Sequence, residues 1–106
     1  MTGGGTLPVL VAFSVVPLGV GTSVGEYVKS VIKELDKRGF KFQVGPMFTT
    51  VELKREELRD FFDFLCEIHD KLAGEGIGRI ETIIKLDDRR DKEIDIEYKV
   101  KRVLEE

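Results

Sequence analysis

Gln43, Phe48, Thr49, Thr50 and Glu52 fall within one short stretch, FQVGPMFTTVE, of otherwise apolar, strand-forming chain. An amide, an aromatic ring, two hydroxyls and a carboxylate in such a setting are the groups that hold a small, flat, polar or cationic molecule. Ser14, alone among the apolar residues of PVLVAFSVV (8–16), adds a further hydroxyl. If Gly45-Pro46 forms a two-residue loop, Val44 opposes Met47, Phe42 opposes Thr49 and Phe40 opposes Val51. The other face then carries Gln43, Phe48, Thr50 and Glu52, and strict alternation sets Thr49 opposite to Glu52. The same side chains could instead pair with one another across a subunit contact. Residue types alone do not choose between the two.

Other chemistry finds less support. GVGTSVG (19–25) lies between a strand and a helix, where glycine-rich loops cradle phosphate, but its spacing is not GxGxxG and no Walker lysine follows. It reads as a plain loop with Thr22 or Ser23 capping the helix. Cys66 and His69 are the sole cysteine and histidine, too few for a zinc site that wants about four ligands. No nucleophile–base pair stands out, so no catalytic residue, metal or cofactor is expected and the chain reads as a non-enzyme. DDRRDKE (87–93) reads as a solvated turn, and Arg79 as a salt-bridging residue.

The chain has 106 residues, 42% of them hydrophobic and 35% charged, which fits one folded domain over 7–106 behind a glycine-rich, disordered segment at 1–6. Its net charge of -3, with acids and bases interleaved, argues against a nucleic-acid partner. One cysteine suits a reducing cytoplasm. The apolar run from Leu7 to Val20 is interrupted by prolines and is too short to span a bilayer, so no membrane partner is expected. A chain without asparagine and rich in Glu, Lys and Arg leans in the direction of thermophile proteins.

These residues must be positioned by an ordered set of elements. Residues 8–16 read as a strand ended by Pro17. Val24, Tyr27, Val28, Val31, Ile32 and Leu35 recur at helical spacing up to Gly39. Residues 40–44 and 47–53 form two strands about Gly45-Pro46. A second helix opens near Lys54 with Leu58, Phe61, Phe62, Leu65, Ile68 and Leu72 on its apolar stripe, and ends at Gly74. Residues 79–88 form a fourth strand, with Ile80, Thr82, Ile84 and Leu86 on one side. The tail alternates like a strand through Ile94, Ile96, Tyr98 and Val100, yet also fits a helix capped by Asp91, the assignment preferred here. The order βαββαβ plus a terminal helix is the α+β, ferredoxin-like arrangement, a four-stranded antiparallel sheet with both helices on one face. The first strand is apolar on both sides, so a second subunit is expected to cover the open face.

Four stretches, VVPLGVGTSVGEYV (15–28), RGFKFQVGPMFTTVE (38–52), GRIETIIKLDDRRD (78–91) and EYKV (97–100), resemble the family of small thiamine-binding, ferredoxin-like domains. The family pattern Pro-Met-Gly-Thr, two hydrophobics, Glu-Gly is matched by Pro46, Met47, Thr49 and Glu52, while Phe48 and Leu53 stand where glycines are usual. The resemblance implies a dimer or tetramer that binds thiamine or its hydroxymethylpyrimidine part near subunit contacts. In that setting Glu52 would accept hydrogen bonds from the aminopyrimidine or offset the thiazolium charge, and Phe48 would stack. Thr49, Thr50, Gln43 and Ser14 would orient the ligand, with Ser23 at the helix start as a further ligand contact.

Overall fold

A computed structural model of the protein describes residues 7–21 and 24–105. The expected disordered segment 1–6, and Thr22 and Ser23, lie outside the described residues. The elements run β1 (Pro8–Leu18), α1 (Gly25–Lys37), β2 (Lys41–Val44), β3 (Thr49–Lys54), a 3-10 turn (Arg55–Glu57), α2 (Leu58–Gly74), β4 (Arg79–Asp87) and α3 (Ile96–Leu104). The sheet order is β2-β3-β1-β4, with every neighbouring pair antiparallel. This is the ferredoxin-like arrangement, with β1 and β3 central.

The core lies between one face of the sheet and the helices α1 and α2. Val9, Val11, Phe13 and Val15 of β1 alternate onto that face with Val51 and Leu53 of β3. They meet Val31 and Leu35 of α1 and Phe61, Phe64, Leu65, Ile68 and Leu72 of α2. Phe13 packs edge-on against both Phe61 and Phe64 with ring centroids 5.3 and 6.1 Å apart, the quadrupole-favoured geometry. The buried stripe of α2 therefore passes through Phe64. Phe62, placed on the stripe from sequence, is 44% exposed, because one step along a helix turns the side chain by about 100°.

Four local expectations need correction. Pro17 does not end β1, which continues to Leu18 and pairs Pro17 with Ile80. β3 pairs no further along than Phe13, so β1 beyond it has a neighbour on one side only, where a residue without an N–H is tolerated. The cap of α1 is Val24, with no side-chain capping bond. The β2–β3 loop holds four residues, not two: the Gly45 N–H donates to the Phe48 carbonyl at 2.9 Å, and the register becomes Val44↔Thr49 and Phe42↔Val51. That slip of two leaves the paired residues on their expected faces, but Phe48, expected beside Gln43, Thr50 and Glu52, falls in the loop and lines the same hollow as Thr49. The tail is helical as read, but its cap is Asp95, not Asp91; the Asp95 carboxylate accepts from the Tyr98 N–H at 2.7 Å.

The opposite face of the sheet is partly covered by the chain itself. Leu10, Ile94 and Ile96 form a small second core with Tyr98 packed against it. Farther along β1, Ala12, Ser14 and Val16 stay half-buried.

Candidate functional site

The sheet distributes the candidate residues between two places. The first is a hollow of about 110 Å³ at the end of the sheet where β3 begins. Phe13, Ser14 and Val15 of β1, Val31 and Ile32 of α1, and the hairpin from Val44 to Thr49 enclose it. Phe48 and Thr49 thus meet there, whereas Ser14 borders the hollow through its backbone neighbours: it follows Phe13, the cross-strand partner of Thr49, so alternation turns its side chain to the opposite face. Thr49 is 7% exposed and is the one buried polar side chain among the described residues. Its hydroxyl makes no hydrogen bond to another described residue, so it remains available to a molecule in the hollow that Thr49 lines. Phe48 is half-buried at the wall, while Pro46 and Met47 stand exposed at the mouth. Sequence reasoning did not connect α1 with this site, although Val31 and Ile32 were on its apolar stripe.

The turn that carries Phe48 is tight. A Cβ placed on Gly45 would come within 2.6 Å of the Phe48 carbonyl oxygen, so glycine is required there by close backbone approach.

The second place is the opposite face, where Gln43 and Thr50 pair across β2 and β3 and Lys41 and Glu52 form the next rung. The Lys41 ammonium lies 3.3 Å from Glu52 and 2.9 Å from Glu97 of α3. Hydrogen bonding to Glu97 and then to Glu52 raises the lysine pKa. Glu52 also accepts the Ile96 N–H at 3.1 Å, satisfying the first orphan donor of α3. Glu52 therefore ties the helix to the sheet, on the far side from Thr49. Beside this rung runs a groove of about 630 Å³ between β2 and α3, lined by Lys41, Phe42, Gln43, Ile96, Val100 and Leu104.

The remaining chemistry-bearing residues lie elsewhere. His69 shares a hydrogen bond with Thr82 at 2.6 Å, linking α2 to β4. Cys66 is exposed. Among the described residues no group of three or more His, Cys, Asp or Glu could hold a metal ion, and no helix is long and apolar enough to cross a membrane. In the 87–93 turn, Asp88 is clamped by Arg55, with contacts of 2.8 and 2.7 Å, and by Arg90 at 2.9 Å. The hydrogen bond from Arg55, with a smaller one from Arg90, holds the Asp88 carboxyl down at about 2. That turn is thus locked to the 3-10 turn ahead of α2 and is not merely solvated. Arg79 pairs with Glu81 at 3.6 Å on the exposed edge strand.

Comparison with known proteins places this geometry. The Bacillus subtilis protein YqgV is 37% identical over 95 residues, spanning 85% of this chain and 88% of its own length. A Methanocaldococcus jannaschii relative is 34% identical over 95 residues, spanning 90% of this chain and 91% of its own. The crystal structure of that archaeal protein superposes with a TM-score of 0.79 at 32% identity, covering 91% of this chain and 95% of the other. A Thermotoga maritima protein assigned provisionally to thiamine biosynthesis or salvage superposes with a TM-score of 0.72 at 29% identity, covering 91% and 98%. Residues 11–104 match the description of the thiamine-binding proteins over most of the chain, and the chain belongs to that family.

Proposed function

We propose that the protein is an oligomeric, non-enzymatic binder of thiamine or of its hydroxymethylpyrimidine part, acting in the cytoplasm. The observation that carries this reading is the unpaired hydroxyl of Thr49, a residue 7% exposed that lines a hollow with Phe48, in a chain of the thiamine-binding family. The Thr49 hydroxyl offers a hydrogen bond to a ring nitrogen or the amino group of a pyrimidine, and Phe48 offers a stacking face. At about 110 Å³ the hollow is well below the ~300–1,000 Å³ of ordinary small-molecule sites. It suits one ring, and a second subunit against the exposed Met47 would complete the enclosure.

A second reading is favoured by one observation. Glu52 is already engaged by the Ile96 N–H and Lys41. In that reading Gln43, Thr50 and Glu52 form a polar row that braces the sheet and meets a partner subunit without a small ligand.

A thermal-shift screen with thiamine, its phosphates and the free hydroxymethylpyrimidine, followed by calorimetry, separates the two. A ligand at 100 times its Kd stabilises the native state by about 2.7 kcal/mol. The binder reading expects a saturable shift with at least one of these compounds. No shift and no heat with any of them leaves the structural reading in place.

A further inference from the structure

A second potential site lies on the loop and helix that follow β4, away from the Thr49 hollow. Arg89, Lys92, Tyr98, Lys99, Arg102 and Val103 line a cleft of about 470 Å³. Four of these six side chains are cationic and none is acidic, in a protein whose net charge is -3.

The cations are not equivalent. Arg89 is neutralised by a two-point contact with Asp91, at 2.6 and 3.0 Å, and Lys99 by Asp87 at 2.6 Å. Lys92 and Arg102 make no close ion pair with a carboxylate among the described residues, although the charge of Lys92 acts on nearby Asp91. The Lys92 ammonium instead donates to the Tyr98 hydroxyl at 2.6 Å and lies 4.5 Å from the centre of its ring. Tyr98 belongs to the first turn of α3, so this lysine sits at the positive pole of the helix, where a cation is disfavoured. Arg102, in the last turn, has the ordinary dipole explanation; Lys92 does not.

The donor count points the same way. A phenol has one proton to give and two lone pairs. With a lone pair of Tyr98 occupied by Lys92, its O–H is left to donate into the cleft. The neighbouring cations, Lys92 foremost and then Arg102, also lower the Tyr98 pKa. The cleft thus gathers an ammonium, a guanidinium and a hydroxyl, all able to donate, with no acidic side chain among the described residues that line it.

We propose that this cleft binds the phosphate group of a small soluble molecule, with Lys92, Arg102 and the Tyr98 hydroxyl donating to its oxygens. Its volume suits a small molecule, and the net negative charge of the protein disfavours a nucleic acid.

The test is an NMR titration of the full chain with inorganic phosphate and then pyrophosphate, ionic strength held constant with sodium chloride. Saturable shifts at residues 89–103 are expected. The Lys92→Ala/Arg102→Ala double variant should raise Kd about tenfold or more, the loss implied by one or more charge-assisted hydrogen bonds. Tyr98→Phe, which keeps the ring, should weaken binding without altering the fold. Thr49→Val should leave the phosphate response unchanged, which separates this site from the hollow. Shifts no larger than those from chloride, or equal binding by the double variant, would overturn the proposal. So would binding to phosphatidic acid vesicles without saturable binding of pyrophosphate.

Discussion

Replacing Glu52 by alanine should loosen α3 selectively. One carboxylate oxygen of Glu52 accepts the Ile96 N–H at 3.1 Å, and the side chain is only 18% exposed. Hydrogen bonds to charged groups contribute about 1.5–3 kcal/mol net, and alanine offers no acceptor in their place. Lys41 retains Glu97 as a partner at 2.9 Å, so the loss falls mainly on the helix N-terminus. At nine residues, α3 is too short to persist undocked, so the cost should be read out as local undocking. With each 1.4 kcal/mol worth a factor of ten, amides from Val100 to Leu104 should exchange roughly ten to a hundred times faster. Hydrogen exchange followed by NMR measures this residue by residue. The central amides of β1 and β3 should stay protected. Glu52→Gln keeps an acceptor oxygen and should produce a smaller effect. Unchanged exchange in α3, or equal acceleration across the whole sheet, would refute the assignment of Glu52 as the tie between helix and sheet.

Three further outcomes follow from individual contacts. Ile94→Ala empties the second core around Leu10, where Ile94 is 1% exposed, and should cost about 2–5 kcal/mol in urea denaturation, with α3 loosening first. Gly45→Ala forces its Cβ against the Phe48 carbonyl and should destabilise the protein by about 1–3 kcal/mol, with the Phe48 and Thr49 resonances shifting most. Asp88 has a folded pKa of about 2 against an ordinary 3.8, so its unfolded form takes up a proton first as pH falls. Its stabilisation is whole above about pH 4 and fades as pH falls toward and through about 2. The difference in urea midpoint between the protein and Asp88→Asn should therefore be full at pH 7 and 5, much smaller near pH 2 and gone below it; a difference that grew on acidification would contradict the clamp.

Most of the fold could be read from residue order. The β-branched run of β1 and the helical spacing of Val31 and Leu35, or of Phe61, Leu65, Ile68 and Leu72, match the buried positions. Local backbone chemistry was harder to read. Pro17 looks like a strand breaker until the short partner strand shows that it lies where β3 no longer pairs. Gly45-Pro46 looks like a complete turn, but the turn closes through the Phe48 carbonyl two residues on. Phe62 and Phe64 are the same residue type two positions apart, and only the direction of the core decides between them. The first strand is apolar on both sides, which points to a second subunit over the open face, yet at Leu10 the cover comes from Ile94 and Ile96 of the same chain. Once Asp95 caps the helix, Ile94 is left free to fill that space.

The candidate site was legible as a set of residue types but not as a constellation. Thr49 and Glu52 carry the family pattern together, yet the strand alternation sends one into the hollow and the other to α3. Lys41 entered the picture only through the observed register, which sets it directly opposite Glu52.

The central claim, that the Thr49 hollow receives the pyrimidine, is tested most directly by an NMR titration with thiamine and with the free hydroxymethylpyrimidine. The account predicts saturable shifts centred on Ser14, Phe48 and Thr49, and at least tenfold weaker binding by Thr49→Val, which keeps the side-chain shape and removes the hydroxyl's hydrogen bond. Shifts centred elsewhere, or undiminished affinity in Thr49→Val, would contradict it.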